Sequence, residues 1–222
     1  MSLVARRRLD REDARAAAAR ARVVEIIDSV PPIDLVAAIK AAPSLRGMIL
    51  GYLAEAMFER LLPQRYPSID AADITRHDDH DRAANKSDRT IRYQEIYYRI
   101  QIKSIQTNSI GWDAAAERLE ARVQNDAPDR RQITLPDGQT VETTCYARGD
   151  YDILAVPLFP LSGTWDFAYK RNVDCRPADN AKYPVEIARH LLATTEVITW
   201  PLTAEWTPDF LNVVARSSGI SA

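Results

Sequence analysis

Residues 151–159 form a nearly continuous apolar run, YDILAVPLF, in which Asp152 is the single charged residue. Such a run is far shorter than the roughly 20 residues of a membrane helix, and it is typical of a β-strand covered on both faces. A strand of that kind needs packing layers above and below its sheet, so we predict a layered α/β fold. At 222 residues, the chain is long enough to bury a full core.

The composition excludes several classes of protein. The chain is 46% hydrophobic and 27% charged, with 7 glycines and 13 prolines, which excludes a disordered or collagen-like protein. We find no apolar run of membrane-spanning length and no apolar segment after the arginines of the N-terminal MSLVARRRLD. The two cysteines, Cys145 and Cys175, are too few for a disulfide scaffold and read as reduced thiols. We therefore expect a cytoplasmic protein without a membrane segment.

The N-terminal part of the chain is predicted to be a helical extension over residues 1–43, followed by the main domain over residues 44–222. Residues 9–29 are rich in Ala and charges, and a second short helix is predicted over residues 33–42. Residues 1–22 carry seven arginines against three acids, so this arm is basic whereas the rest of the chain is acidic. A basic arm is compatible with DNA binding, and a solvated helix explains it equally well.

The main domain is predicted to alternate helices with strands. A helix over residues 44–62 has Ser44 as its N-cap, ends at Pro63 and packs on a sheet, with Gly47 and Gly51 permitting close approach. The other predicted elements are a hairpin over 90–104 turning at Gln94-Glu95, a helix over 112–124, a hairpin over 132–146 turning at Asp137-Gly138, a strand over 164–170, a helix over 184–193, a strand over 197–200 and a helix over 208–216.

One strand of the first hairpin carries the candidate chemistry. Its period of two places Tyr98, Ile100 and Ile102 on one face and Arg99, Gln101 and Lys103 on the other. A buried lysine beside a buried amide costs free energy unless an anionic group lies opposite. Asp88, 13 positions before Gln101, is one candidate for that group. Solvent-facing polar residues on an edge strand are the alternative interpretation.

Gln101-Ile102-Lys103, preceded by Asp88 and by the helix bearing Glu55, resembles the PD-(D/E)xK motif of the restriction endonuclease-like nucleases. In this chain the motif looks like the QxK variant of some homing endonucleases and restriction enzymes. The resemblance extends over residues 44–170 in the order of catalytic strand, crossover helix and central strand. It implies a restriction endonuclease-like fold: a mixed central sheet of four to five strands flanked by helices.

The resemblance also implies a role for each motif residue. Asp88 would be the principal ligand of Mg²⁺, for which Mn²⁺ can substitute; Gln101 would offer its side-chain carbonyl oxygen, and Ile102 its backbone carbonyl. Glu55 would hold a water on the metal or a second ion, and Lys103 would lie beside the attacking water or the scissile phosphate. A surface position is the equally weighted alternative for Glu55.

The identity of the aspartate stays open at this point. Asp78, Asp79 and Asp81 compete with Asp88, which we prefer because it adjoins the β-rich segment. If the first strand were residues 74–79, Asp79 would take the role of Asp88. The neighbouring His77 and His80 are too few for a zinc site without cysteines at suitable spacing, so a solvated loop is the better interpretation.

These residues predict a Mg²⁺-dependent endonuclease acting on double-stranded DNA, most simply a site-specific type II restriction enzyme. Cleavage of both strands of a palindromic site favours a homodimer. DNA contacts are expected from the arginine arm and from Ser104, Gln106 and Asn108. The alternative is a nuclease-fold DNA-binding or assembly protein without catalysis, for which the amide at position 101 argues. An unrelated metabolic enzyme would instead leave Asp88 and Lys103 far apart.

Overall fold

The computed structural model describes residues 28–77 and 87–217. The chain divides into two compact units, residues 1–46 and residues 47–222. The predicted arginine arm and most of the helix predicted over residues 9–29 lie outside the described residues. No helix within the described ranges is long and apolar enough to cross a membrane.

In the described part of the chain, two α-helices are followed by eight strands in succession and then by helices and strands in alternation. The strands are β1 Ile74–Arg76, β2 Arg89–Tyr93, β3 Ile96–Ile102, β4 Gly111–Asp113, β5 Arg118–Gln124, β6 Asp126–Thr134, β7 Thr140–Cys145, β8 Ile153–Pro157, β9 Phe167–Arg171 and β10 Thr195–Trp200. The helices are α1 Pro32–Ala41, α2 Pro43–Arg65, α3 Phe159–Ser162, α4 Val185–Ala188 and α5 Phe210–Ser217.

The central sheet has five strands in the order β1-β2-β3-β8-β9. Neighbouring strands are antiparallel except β3 and β8, which run parallel with Gln101 opposite Leu154. Helices α2 and α5 contribute Phe58 and Phe210 to the core on one face of this sheet. The predicted mixed α/β fold, with a mixed central sheet flanked by helices, is confirmed.

Strand β8 is buried on both faces, as the apolar run predicts. Ile153 and Ala155 pack in the same core as Phe58 and Phe210. Leu154 and Val156 point to a second core on the opposite face, and all four residues have no exposed surface. Strand β8 therefore gives its neighbour β3, the middle strand of the sheet, a fixed support on one side.

A small three-stranded sheet, β10-β5-β4, forms the layer on the second face of the central sheet. The prediction of a helix over residues 112–124 is therefore wrong. Strand β5 alternates buried Ala121 and Val123 with exposed Arg122 and Gln124, which fits a period of two. The crossover helix expected between β3 and β8 is also wrong, because residues 103–152 contain strands β4 to β7 and no α-helix. The alanines at 114–116 lie in the turn between β4 and β5, and pairing of residues 119–124 with β10 overrides the local helix preference.

Helix α2 differs from its prediction in its end and in the role of its glycines. Helix α2 continues past Pro63 to Arg65, because a proline near a helix end removes a single hydrogen bond. The buried residues of helix α2 are Ala54, Phe58 and Leu62, so one face of this helix packs on the sheet. A Cβ added at Gly47 or at Gly51 would meet nothing within 4 Å, so the predicted close approach there is wrong.

The two predicted hairpin turns are confirmed. Gln94 and Glu95 have φ angles of 50° and 62°, as a two-residue turn between twisted strands requires, and Gly138 has a φ of 85°. The strand predicted near the C-terminus (β10) and the last predicted helix (α5) are also present. The helix predicted over 184–193 shrinks to α4 because Leu191 and Leu192 leave it to form β-bridges.

Candidate active site

Asp88 lies at the entrance of strand β2, against the end of strand β3. Its backbone N–H donates to Ile100 O over 3.0 Å, which fixes the residue across the hairpin. Its carboxylate oxygen Oδ2 accepts hydrogen bonds of 2.6 Å from Gln101 Nε2 and from the backbone N–H of Ile102. The spacing of 13 residues along the chain therefore becomes direct contact in the folded hairpin.

Gln101 is 3% exposed, and its amide is oriented by Asp88. Because Nε2 donates to the carboxylate, Oε1 is the free end of the amide, and it has no hydrogen-bond partner among residues 28–77 and 87–217. A buried carbonyl oxygen left without a donor costs about 1–3 kcal/mol. An oxygen of this kind is suited to accept a water or to coordinate a hard cation.

Lys103 follows directly after strand β3 and is half-buried. Its backbone N–H donates to Ala155 O, and its ammonium donates to the backbone carbonyl of Asp126 over 3.0 Å. The ammonium also lies 5.3 Å from the ring centroid of Tyr146, in cation–π range. The lysine is thereby held in place before any substrate binds.

Burial shifts both charged groups of this site towards neutrality. It raises the pKa of the Asp88 carboxyl, against the opposing effects of the Lys103 ammonium and of the hydrogen bonds from Ile102 and Gln101. It lowers the pKa of Lys103, although the carboxylates of Asp88, Asp126 and Glu55 favour its charge. Asp88 and Lys103 therefore influence each other's pKa. Opposed shifts of this kind are frequent at functional sites.

Glu55 is reached by an arginine that the sequence interpretation missed. Arg89 is 1% exposed, and its guanidinium donates to Glu55 Oε2 over 3.0 Å, to Glu59 Oε2 over 3.2 Å and to Asp88 O over 2.7 Å. The arginine thus links helix α2 to the aspartate. A charged residue at an inward position of strand β2, next to the buried Ile91, was the available signal.

Asp126 and Tyr146 also belong to the surroundings of Lys103 and were not predicted. Tyr146 is buried, which raises the pKa of its hydroxyl, and its ring packs edge-on against Tyr151 at 5.4 Å. The Tyr151 hydroxyl donates to Asn125 Oδ1 over 3.0 Å. These contacts join segments that are distant in the sequence, and no local sequence pattern predicts them.

The oxygen atoms around Asp88 fit a small hard cation in part. Within residues 28–77 and 87–217, no group of three or more His, Cys, Asp or Glu side chains could hold a metal ion. Asp88 and the unpartnered Oε1 of Gln101 still offer two oxygens, and Mg²⁺ keeps several waters when it binds to proteins. Asp78, Asp79 and Asp81, the competing aspartates, lie outside the described residues.

Comparisons with known proteins establish no family for the chain. No protein-family model matches it, and no curated protein does. A solved structure of a bacterial homing endonuclease, I-Ssp6803I, is similar with 13% sequence identity and a TM-score of 0.34. That alignment covers 65% of this chain and 87% of the endonuclease chain.

Proposed function

We propose that this chain is a metal-dependent endonuclease that hydrolyses phosphodiester bonds of double-stranded DNA, of the site-specific type II restriction kind. The observation that carries the proposal is the geometry of Gln101. Its Nε2 donates to the Asp88 carboxylate, so its Oε1 is the unpartnered end of the amide and is buried, two positions before Lys103 in the chain. The spacing of an aspartate, an amide and a lysine in Asp88, Gln101 and Lys103 matches the resemblance to the PD-(D/E)xK nucleases.

In this proposal, Asp88 and Gln101 hold Mg²⁺ or Mn²⁺ through side-chain oxygens, with the backbone carbonyl of Ile102 as a further ligand and Glu55 nearby. A divalent ion bound there would neutralise phosphate charge and lower the pKa of a coordinated water. Lys103 contributes an ammonium fixed by Asp126 O, available to contact the scissile phosphate or to orient the attacking water. Arg89 holds Glu55 in position through its hydrogen bond to Glu55 Oε2.

The direct test is cleavage of plasmid DNA by the full chain with Mg²⁺, with Mn²⁺ and with EDTA. Wild type is expected to cleave with either ion and not with EDTA. Lys103→Ala is expected to abolish cleavage while folding and DNA binding are kept, and Lys182→Ala, at an exposed lysine, is the matched control. Full cleavage by Lys103→Ala would refute the assignment.

A second candidate function is DNA binding or assembly on a nuclease fold without catalysis. It is favoured by the neutral amide at position 101 and by the lack of a three-member metal-ligating group within the described residues. Duplex binding without cleavage under both metal ions would support this candidate. Sedimentation of the full chain, alone and with duplex DNA, tests the homodimer that cleavage of a palindromic site implies.

A further inference from the structure

A polar groove lies beyond Lys103, between the segment 106–113 and strand β5. It has a volume of about 590 Å³, and Gln106, Asn108, Trp112, Asp113, Glu120 and Arg122 are among its lining residues. The segments are tied together by a hydrogen bond from Gln106 N to Arg122 O and by a β-bridge between Ile105 and Val123. The groove is therefore a built feature of the fold, continuous in chain with the candidate active site.

Some hydrogen-bonding groups of the groove are unengaged, whereas the Asp113 carboxylate accepts from the backbone N–H groups of Ala115 and Ala116. The guanidinium of Arg122 and the side-chain amide of Asn108 make no hydrogen bond or ion pair to any described residue. Gln106 Nε2 donates to Gln124 Oε1 over 3.1 Å, which leaves the side-chain oxygen Oε1 of Gln106 available. Trp112 is 63% exposed beside them. The groove thus combines donors, acceptors and one open aromatic surface.

The mixture of charges distinguishes between two kinds of nucleic-acid contact. A surface that binds phosphates alone is basic, and Asp113 and Glu120 would repel phosphate oxygens. Base edges in a major groove present both donors and acceptors: arginine pairs with guanine, amides pair with adenine, and carboxylates accept from cytosine. Strands β4 and β5 pair antiparallel, and β4 is the edge strand of the sheet β10-β5-β4, so the groove lies at a sheet edge.

We propose that this groove reads base edges of duplex DNA next to the cleavage position, an inference that rests on the proposed function for its choice of DNA. Gln106 is three residues after Lys103, which at about 3.3 Å per residue is a reach of about 10 Å. Duplex DNA rises about 3.4 Å per base pair, so a base contacted by Gln106 lies within about three base pairs of the cut.

The test is cleavage and binding of a randomised duplex library by the full chain, followed by sequencing. Asn108→Ala, Trp112→Ala and Arg122→Ala are expected to lower base preference next to the cut by about tenfold or more at a contacted position. Arg130→Ala, at an exposed position of β6 outside the groove lining, is the matched control and keeps the preference. Binding selections use the Lys103→Ala background without divalent ions, which separates recognition from chemistry.

The outcomes separate this inference from the proposed nuclease activity. If wild type cleaves and the groove variants cleave with unchanged base preference, the inference is overturned and the nuclease stands. If wild type does not cleave but selects a sequence that Asn108→Ala and Arg122→Ala no longer select, the inference holds without the nuclease. A uniform loss of affinity across all duplexes indicates phosphate binding and overturns base readout, as does full displacement of duplex by single-stranded RNA.

Discussion

The Gln101 side-chain amide donates a 2.6 Å hydrogen bond to the Asp88 carboxylate, and this bond fixes the orientation of the amide. A carboxylate at position 101 could not donate that bond while ionised, and it would repel Asp88 instead. The glutamine therefore supports the ionised form of Asp88, whose pKa the hydrogen bond lowers against the larger effect of burial. The amide is an integral part of this site.

Gln101→Glu is expected to destabilise the protein without metal and to respond more strongly to Mg²⁺ than wild type does. The variant loses a donor to a buried carboxylate and adds a like charge, a loss of about 1–3 kcal/mol in the free energy of unfolding. A divalent ion between the two carboxylates would reverse that repulsion. Urea unfolding in EDTA and in Mg²⁺ measures both effects.

Gln139→Glu, at an exposed turn position, is the control for the change of charge and should leave both measurements near those of wild type. A Gln101→Glu protein as stable as wild type in EDTA, with no added response to Mg²⁺, would contradict the role assigned to the amide.

Asp88 should make stability depend on pH in the metal-free protein. Burial raises the pKa of the folded carboxyl, so the contribution of Asp88 is fully present below its unfolded pKa and is lost as pH rises through the folded pKa. Asp88→Asn, which mimics the protonated form, lacks this loss. As pH rises above about 4, Asp88→Asn is expected to become more stable relative to wild type. The difference levels off above the pKa of Asp88 in the folded protein.

Urea unfolding in EDTA at a series of pH values is the measurement. Lys103→Met supplies a check of opposite sign, because burial lowers the pKa of Lys103. The contribution of Lys103 is present above its unfolded pKa and is lost as pH falls through the folded pKa. Lys103→Met, which lacks this loss, is therefore expected to gain stability relative to wild type as pH falls from about 10.4, and the difference levels off below the folded pKa. A pH-independent difference between Asp88→Asn and wild type would rule out the raised pKa.

Sequence reasoning was reliable where the determinants are local or periodic. The turn at Gln94-Glu95 and the strand period that separates Gln101 from Ile102 predict the hairpin, and the hairpin brings Asp88 to Gln101. The apolar run predicts β8 in the same way, because burial on both faces leaves no room for polar alternation.

The remaining features depend on contacts between distant segments. Arg89 meets Glu55 across 34 positions, and Lys103 meets the Asp126 carbonyl across 23 positions. Residues 112–124 carry an alanine-rich stretch that favours a helix locally, yet pairing of β5 with β10 along six residues decides the strand. The second layer of the fold could therefore not be derived from composition.

Arg89→Met is expected to destabilise the fold by about 3–5 kcal/mol, because it removes a buried guanidinium that pairs with Glu55 and Glu59 and donates to Asp88 O. Arg92→Met is the matched control on the same strand. Its side chain is 45% exposed and pairs with Asp73, so a much smaller loss is expected. Chemical unfolding of both variants gives the comparison, and equal losses would show that the Arg89 contacts contribute no more than a surface pair.

Lys170 and Glu196 form a second buried ion pair, 2.9 Å apart and almost without exposed surface, on the strands β9 and β10. Lys170→Met alone leaves the Glu196 carboxylate buried and should cost about 3–5 kcal/mol in the free energy of unfolding. Lys170→Met with Glu196→Gln removes the charge and keeps an acceptor for the Arg176 N–H, which donates to Glu196 Oε1 over 2.8 Å. The double variant should therefore recover most of the loss, because a buried pair replaced by neutral groups is often as stable as the pair itself.

Urea unfolding of the two variants and of Glu196→Gln alone gives the coupling energy. Additive losses would contradict the pairing and would mean that each charge is stabilised separately, Lys170 by the exposed Glu205 and by the Trp206 ring.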